Sequence, residues 1–384
     1  MGVFLFYFPK NQLDKLFFYT KISNMNKQDL SIIIPVYNGQ DYIAGCLGSV
    51  LRQQNSEKYE IIVVNDGSTD NTTNILKRIT HKHPNIHIIN QKNAGVSVAR
   101  NNGIKFSHGK YVTFIDCDDM VGLRADTFAP YFSRSIRQPC IGNLEIANAH
   151  TVPNKLNNTY FDNKFFVNML HAAHDTNADV VMGGKITINR DDVYLRKHLY
   201  KYSQEYTTFS DDKHIALRQA DVRENANFAL YRREMLKKHR LCFMNNMNLD
   251  EDMLFCMLAT LYAEHVATVH DVTYLYNRHS NTLSNITDKS EEKSKYTIAT
   301  LQRYSIFLNE LRKYPQYHEI FTYWFKRFSQ EGEKYADNNT ITEFPPRTCA
   351  TQCYEKSCNG CFIAEAMCEN LSTKITQYLN QQRR

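Results

Sequence analysis

The chain has 384 residues, with 46 Lys and Arg against 40 Asp and Glu, and is 42% hydrophobic and 22% charged. That length holds one large domain with an appendage, or two domains, and the composition is globular rather than disordered or fibrous. The formal net charge of +6 suits anionic ligands, but no Lys/Arg stripe accompanies it, so nucleic acid is excluded as an expected partner.

The apolar start, Met1 to Phe8, is far shorter than the roughly 20 residues of a membrane span. It also lacks the basic leader and small-residue cleavage site of a secretory signal. No later segment is apolar over such a length, so a cytoplasmic protein is expected, with peripheral contact at the inner face of the membrane left open. Met25 stands just before the first strand signal and is a second candidate start. Residues 1–28 then form an extension outside the native fold, which N-terminal mass spectrometry decides.

Leu30 to Val36 is a nearly continuous apolar run, as a strand covered on both faces requires. Asp41 to Gln54 puts Ile43, Leu47, Val50 and Leu51 on one helical face. Glu60 to Val64 is a second buried strand and ends at Asn65-Asp66-Gly67-Ser68-Thr69-Asp70. Ile75, Leu76 and Ile79 mark a helix, Ile86 to Ile89 a short strand, and Asn93 to Arg100 opens another helix. Gly109 to Ile115 is a β-branched and aromatic strand that ends in Asp116-Cys117-Asp118-Asp119. Strand–helix alternation with short links predicts an α/β fold, a Rossmann-like and mainly parallel sheet flanked by helices.

Residues 123–160 break this rhythm with Asn, turn formers, Pro130, Pro139 and Pro153, and read as an insertion or a lid. Phe165 to His174 reads as a helix and Asp179 to Met182 as a strand. From about Ser290 the chain reads as helices, with Tyr304, Phe307, Leu308 and Leu311 at helical spacing. The expected organisation is an extension at 1–28 and a catalytic domain at 29–288. That domain divides into a donor-binding part at 29–122, the insertion at 123–160 and an acceptor part at 161–288. A helical, Cys-rich extension follows at 289–384. Among its cysteines only Cys358 and Cys361 have zinc-ligand spacing, so structural Zn²⁺ competes with ordinary reduced thiols there.

The strand tips carry the chemistry. In an open α/β sheet, ligands bind beyond the carboxyl ends of the strands. Crowded carboxylates there favour a cation, and Mg²⁺ or Mn²⁺ characteristically bridges one or two of them to substrate phosphates. Asp66 could accept hydrogen bonds from a nucleobase or ribose, or serve only a turn and helix cap. Arg100 could reach diphosphate oxygens or form an ion pair. Tyr37 could stack on a base or pack against its own loop.

The order of these segments resembles a family. Ser31 to Asn38, Asn65 to Asp70, Asn93 to Asn101 and Phe114 to Asp119 together look like the signature of family 2 glycosyltransferases. The resemblance implies inverting enzymes of the A-type nucleotide-diphospho-sugar transferase fold (GT-A). It implies that Pro35 and Tyr37 line the base pocket, that Asp66 binds the base and that Arg100 contacts the donor. Asp116 holds the ribose or metal region, Asp118 is the main Mg²⁺ or Mn²⁺ ligand on the diphosphate, and Asp119 is an auxiliary carboxylate. Leu249 to Phe255 resembles the family's Glu-Asp motif at a helix start, which makes Asp252 the base and Glu251 its neighbour. Acidic residues that merely favour a helix N-terminus are the plain alternative. Tyr274 to Ser284 resembles a segment in which Arg278 or His279 touches the diphosphate; a solvated basic loop is the plain alternative. The 123–160 stretch exceeds the family pattern and the Cys-rich tail lies outside it.

The function implied is a metal-dependent, inverting transfer of a sugar from a nucleotide diphosphate donor, UDP-linked by expectation. The acceptor is a glycan or lipid-linked saccharide in surface polysaccharide synthesis. A nucleotidyltransferase would need a glycine-rich phosphate loop with a basic residue after the first strand, and a dinucleotide oxidoreductase would need G-x-G-x-x-G there. Pro35-Val36-Tyr37-Asn38-Gly39 supplies neither. An inactive nucleotide-sugar-binding adaptor in an assembly complex is the competing class.

Overall fold

The computed structural model describes residues 29–55, 58–122, 142–145, 163–189, 194–199, 206–208, 226–245, 247, 249–278 and 290–338. Strands β1 (Leu30–Val36), β2 (Glu60–Asn65), β3 (Ile86–Asn90) and β4 (Tyr111–Phe114) alternate with helices α1 (Ile43–Leu51), α2 (Thr72–Thr80) and α3 (Val96–Phe106). Next come β5 (Met120–Val121), β6 (Gly142–Glu145), α4 (Phe165–Asp175), β7 (Val180–Asn189), β8 (Tyr194–Leu199) and β9 (Tyr206–Thr208). The catalytic-domain expectation ends with β10 (Ala229–Arg232), α5 (Arg233–Lys238), α6 (Glu251–Tyr262) and β11 (Val266–Arg278). Two long helices, α7 (Ser290–Leu311) and α8 (His318–Asn338), form the helical C-terminal region expected from the periodicity.

The sheet runs β3-β2-β1-β4-β10-β7-β11-β5, with β6 on β8, β8 on β7 and β9 on β11. β3, β2, β1 and β4 are parallel neighbours, β10 is antiparallel to both β4 and β7, and β7 and β11 are again parallel. The chain adds β2 on one side of β1 and β4 on the other, so the strand order reverses between β1 and β4. Such a switch point opens a crevice at the carboxyl ends of the two strands.

Alternate residues of each central strand face opposite layers. Ile33, Val64, Val112 and Phe114 join one apolar cluster with α3, α6, α7 and α8, in which Trp324 is fully buried. Ile32, Ile34, Val63 and Tyr111 join the other, under α1 and α4. Each large side chain so buried contributes ~1.5–3 kcal/mol, and two such layers explain why the strands read as unbroken apolar runs.

Two segments differ from the sequence reading. Tyr274–Arg278 is no loop but the second half of β11, paired with β7 and, at Tyr274 and Leu275, with β5. The register shifts between Thr268 and Thr273, after which β11 stays paired with β7 on one side and takes up β5, the segment that follows Asp119, on the other. The strand expected at Asp179–Met182 continues to Asn189 as β7. Inside the 123–160 stretch, β6 pairs with β8, while its other residues lie outside the described ones. So do residues 1–28 and the Cys-rich tail. Among the described residues no helix is long and apolar enough to cross a membrane.

Candidate functional site

Three parallel strands deliver the first carboxylates. At Pro35, β1 is still paired to β2 through the Val64 register, but its pairing to β4 has ended at Ile33 and Phe114. The Ile115 amide donates to Ile33 O at 3.0 Å, and the next bond of that ladder would need an N–H at residue 35. Proline has none, so β4 leaves the sheet there and Asp116 emerges at the switch point. Pro35 is buried in the strand, whereas Tyr37, just beyond it, is 50% exposed and open to stacking.

The loops after β1 and β2 are stitched together. Asn38 Oδ1 accepts from the Thr69 amide at 2.8 Å, and the Asn38 and Gly39 amides donate to Ser68 Oγ and Thr72 Oγ1. Asp70 accepts from the Gln40 and Thr72 amides at 3.0 Å. Burial would raise the Asp70 carboxyl, but these hydrogen bonds outweigh it and hold the pKa below its ordinary value. Gly67 has φ of 73°, and a Cβ there would stand 2.8 Å from the Asn93 amide nitrogen, so this turn requires glycine. Asp66 is 4% exposed; Oδ1 accepts from Gln91 Nε2 at 2.7 Å and the Ala94 amide at 2.8 Å, and Oδ2 from the Gly95 amide at 2.9 Å. Its carboxylate therefore joins the tip of β2 to the start of α3.

The acidic run divides by environment. Asp119 is fully buried, with Tyr274 Oη donating to Oδ2 at 2.5 Å and the Asn277 amide to Oδ1 at 2.8 Å. Burial, then the charges of Asp118 and Asp116, push its pKa well up despite those bonds. Asp116 receives one donor on each oxygen, Arg100 Nη2 at 2.7 Å and Asn227 Nδ2. Asp118 is half-buried at the crevice, and Asn277 Nδ2 donates to its backbone carbonyl at 3.1 Å. The thiols of Cys46 and Cys117 are raised first by burial and then by the same carboxylates. Among the described residues no three His, Cys, Asp or Glu side chains cluster closely enough to enclose an ion by themselves. The carboxylate oxygens of Asp116 and Asp118 are the kind of donor that a hard divalent cation takes together with substrate oxygens.

A second group faces the first through Arg100. Its side chain is 4% exposed, lies 5.1 Å from the Phe243 ring centroid, and donates to Asp116 and, through Nη1 at 3.0 Å, to Glu251. Burial lowers the Arg100 pKa, but Asp116, Glu251 and Asp252 more than compensate and keep it firmly cationic. Glu251 and Asp252 begin α6, as expected of acidic residues at a helix N-terminus. Asp252 is half-buried, accepts from the Met253 amide at 2.8 Å, and has its pKa raised to about 8 by burial, then by Glu251 and Asp250, against Arg100.

Arg100 thus lies buried between Asp116 and Glu251. Asp66, Asp116 and Asp118 share the carboxyl end of the parallel strands, and the Arg100 guanidinium ties Asp116 to Glu251, the neighbour of Asp252. The backbone of Arg278 ends β11, and its side chain lies outside the described residues, as do His279 and the cysteine tail. Asn227, Tyr274, Asn277 and Phe243 hold the site together and were not singled out from sequence. The alternation within Tyr274–Arg278 was the one local signal for two of them.

Residues 31–122 match the family described as glycosyl transferase family 2. The uncharacterized glycosyltransferase YibD of Escherichia coli K12 is 48% identical over 92 residues, 24% of this chain and 26% of the relative. A poly(ribitol-phosphate) beta-glucosyltransferase of Bacillus spizizenii is 28% identical over 252 residues, 64% of this chain and 32% of that protein. The uncharacterized glycosyltransferase EpsJ of Bacillus subtilis is 26% identical over 272 residues, 67% of this chain and 63% of its own length. The chain therefore spans less than two thirds of each of these relatives. Among solved structures, S. aureus TarS residues 1–349 in complex with UDP-GlcNAc has a TM-score of 0.51 at 17% identity, covering 92% of each chain. That likeness establishes a shared fold.

Proposed function

We propose that this chain, whose residues 31–122 match glycosyl transferase family 2, transfers a sugar with inversion from a UDP-linked donor to a hydroxyl. The acceptor is a glycan or lipid-linked saccharide of a surface polysaccharide. The observation that carries this reading is the shared position of Asp66, Asp116 and Asp118 at the strand tips, with Arg100 joining Asp116 to Glu251, next to Asp252.

Tyr37 is exposed enough to stack on the base, beside Pro35 in β1, and Asp66, at the tip of the neighbouring β2, would be the base's polar partner. Asp118, with Asp116 beside it, would hold Mg²⁺ or Mn²⁺ against the diphosphate, and the ion would offset the charge growing on the leaving group. Asp119 supports this turn from within the protein through Tyr274 and Asn277. Arg100 keeps Asp116 and the α6 start in fixed relation, and Arg278 is the candidate contact to the diphosphate from β11.

Asp252 takes the proton of the acceptor hydroxyl as that oxygen bonds to the anomeric carbon. The bond from that carbon to the diphosphate oxygen breaks on the opposite face, the nucleoside diphosphate leaves with the electron pair, and the configuration inverts. A resting pKa of about 8 is suited to a base working near neutrality. The intact protein, given Mn²⁺ with UDP-glucose, UDP-galactose or UDP-N-acetylglucosamine, should release UDP from at least one, and Asp118→Ala should abolish the release. Release from none, in a folded protein, contradicts the reading and leaves the adaptor.

A further inference from the structure

Asp250, immediately before the Glu251-Asp252 pair, has φ of 63° and ψ of 12°. This left-handed conformation strains most residues with a Cβ and is tolerated better by Asp, and its neighbours hold it in place here. The enforcing groups come from the C-terminal helices. Arg303 Nη1 on α7 donates to Asp250 Oδ2 at 2.8 Å, and Thr300 Oγ1, one turn earlier, donates to the same oxygen at 3.1 Å. The ion pair is buried, with side chains 4% and 7% exposed. Arg303 Nη1 also reaches Met253 Sδ at 2.6 Å, so it touches the residues on both sides of the Glu251-Asp252 pair. The Asp250 carbonyl accepts from the Leu254 amide at 3.0 Å, so fixing Asp250 fixes the first turn of α6. At the far end of α6, Tyr262 Oη donates to Glu310 Oε2 on α7 at 2.9 Å. The helix bearing the base is therefore bound to α7 at both ends, and to the strand tips by Arg100.

We propose that Arg303 is a positioning residue, which through Asp250 holds the first turn of α6 so that Asp252 faces the acceptor hydroxyl. It lies far outside residues 31–122, and it makes the C-terminal helices part of the catalytic apparatus. A buried charge pair is a costly way merely to stabilise a fold, and its attested use is to specify one arrangement. Misplacing a base by a fraction of an ångström removes rate without removing donor affinity.

This inference rests on Asp252 as the base. In the full chain, Arg303→Gln should lower kcat for UDP release at least about tenfold, leaving donor KM and UDP affinity with Mn²⁺ within about twofold. The melt should stay cooperative, and Arg303→Lys should recover part of kcat. A cooperatively melting Arg303→Gln chain with unchanged kcat overturns the inference, and so does an equal loss of kcat and UDP affinity. If Arg303→Gln does not fold, Thr300→Val decides, because it removes only the hydroxyl bond: a lowered kcat supports the role and an unchanged kcat refutes it. Asp252→Asn run in parallel separates the two failures. An active Asp252→Asn protein removes the base, whereas an inactive one beside a fully active Arg303→Gln removes only the role of Arg303.

Discussion

At the scale of single residues, environment assigns different tasks to carboxylates of one chemical type. Asp119 accepts from Tyr274 and Asn277, Asp116 from Arg100 and Asn227, and Asp250 from Arg303. Asp252 keeps a raised pKa because burial and two acidic neighbours outweigh the nearby Arg100. An unfolded Asp ionises near ~3.9, whereas folded Asp252 does so at about 8. The folded state thus favours the neutral acid, an advantage fully present below ~4 and lost as pH rises through about 8. Because Asn cannot ionise, Asp252→Asn should melt above the parent at pH 8 and converge with it near pH 4, as calorimetric melts would read. The parent's turnover should climb with pH, reach half its maximum near pH 8 and level off above it, while Asp252→Asn stays ~10²–10⁴-fold lower throughout. Equal melting offsets at both pH values, or a flat parent profile, would contradict the assignment.

At the scale of elements, apolar runs and punctuation were enough to read β1, β2, β3 and β4, because strands buried on both faces leave few polar residues in their interiors. Their acidic tips were legible for the same reason: Asp66 and Asp116 interrupt otherwise apolar chain. The partners of those tips were not legible. Tyr274 reaches Asp119 across 155 residues and Asn227 reaches Asp116 across 111, separations at which no local period operates. Arg100 could be read either as a diphosphate ligand or as an ion pair. Which one holds depends on where α6 begins, a tertiary fact. The packing of α3 on β1 gives a sharp element-scale test. A Cβ at Gly103 would stand 2.3 Å from Ile33 Cγ2. Alanine at a helix interior ordinarily stabilises by ~1 kcal/mol, but overpacking here costs ~1–3 kcal/mol. Gly103→Ala should therefore lower the urea midpoint, and a raised midpoint would show that the α3–β1 contact is looser than described.

At the scale of the whole molecule, a crevice at the switch point of a parallel sheet is joined to α6, and α6 is joined to the C-terminal helix α7. The family match covers the first of these alone, over residues 31–122. Beyond residue 122 the Glu251-Asp252 pair was read from the resemblance and the C-terminal helices from periodicity, and neither showed the ties of α7 to Asp250 and Tyr262. The central claim is that a divalent ion and a nucleoside diphosphate bind together at the tips of β1, β2 and β4. Titration calorimetry of the intact protein with UDP, with and without Mn²⁺, tests it most directly. Mn²⁺ should tighten UDP binding at least about tenfold, ~1.4 kcal/mol, and Asp118→Ala should erase that gain. UDP binding that is equally strong without the metal, or a gain that survives in Asp118→Ala, would contradict the account.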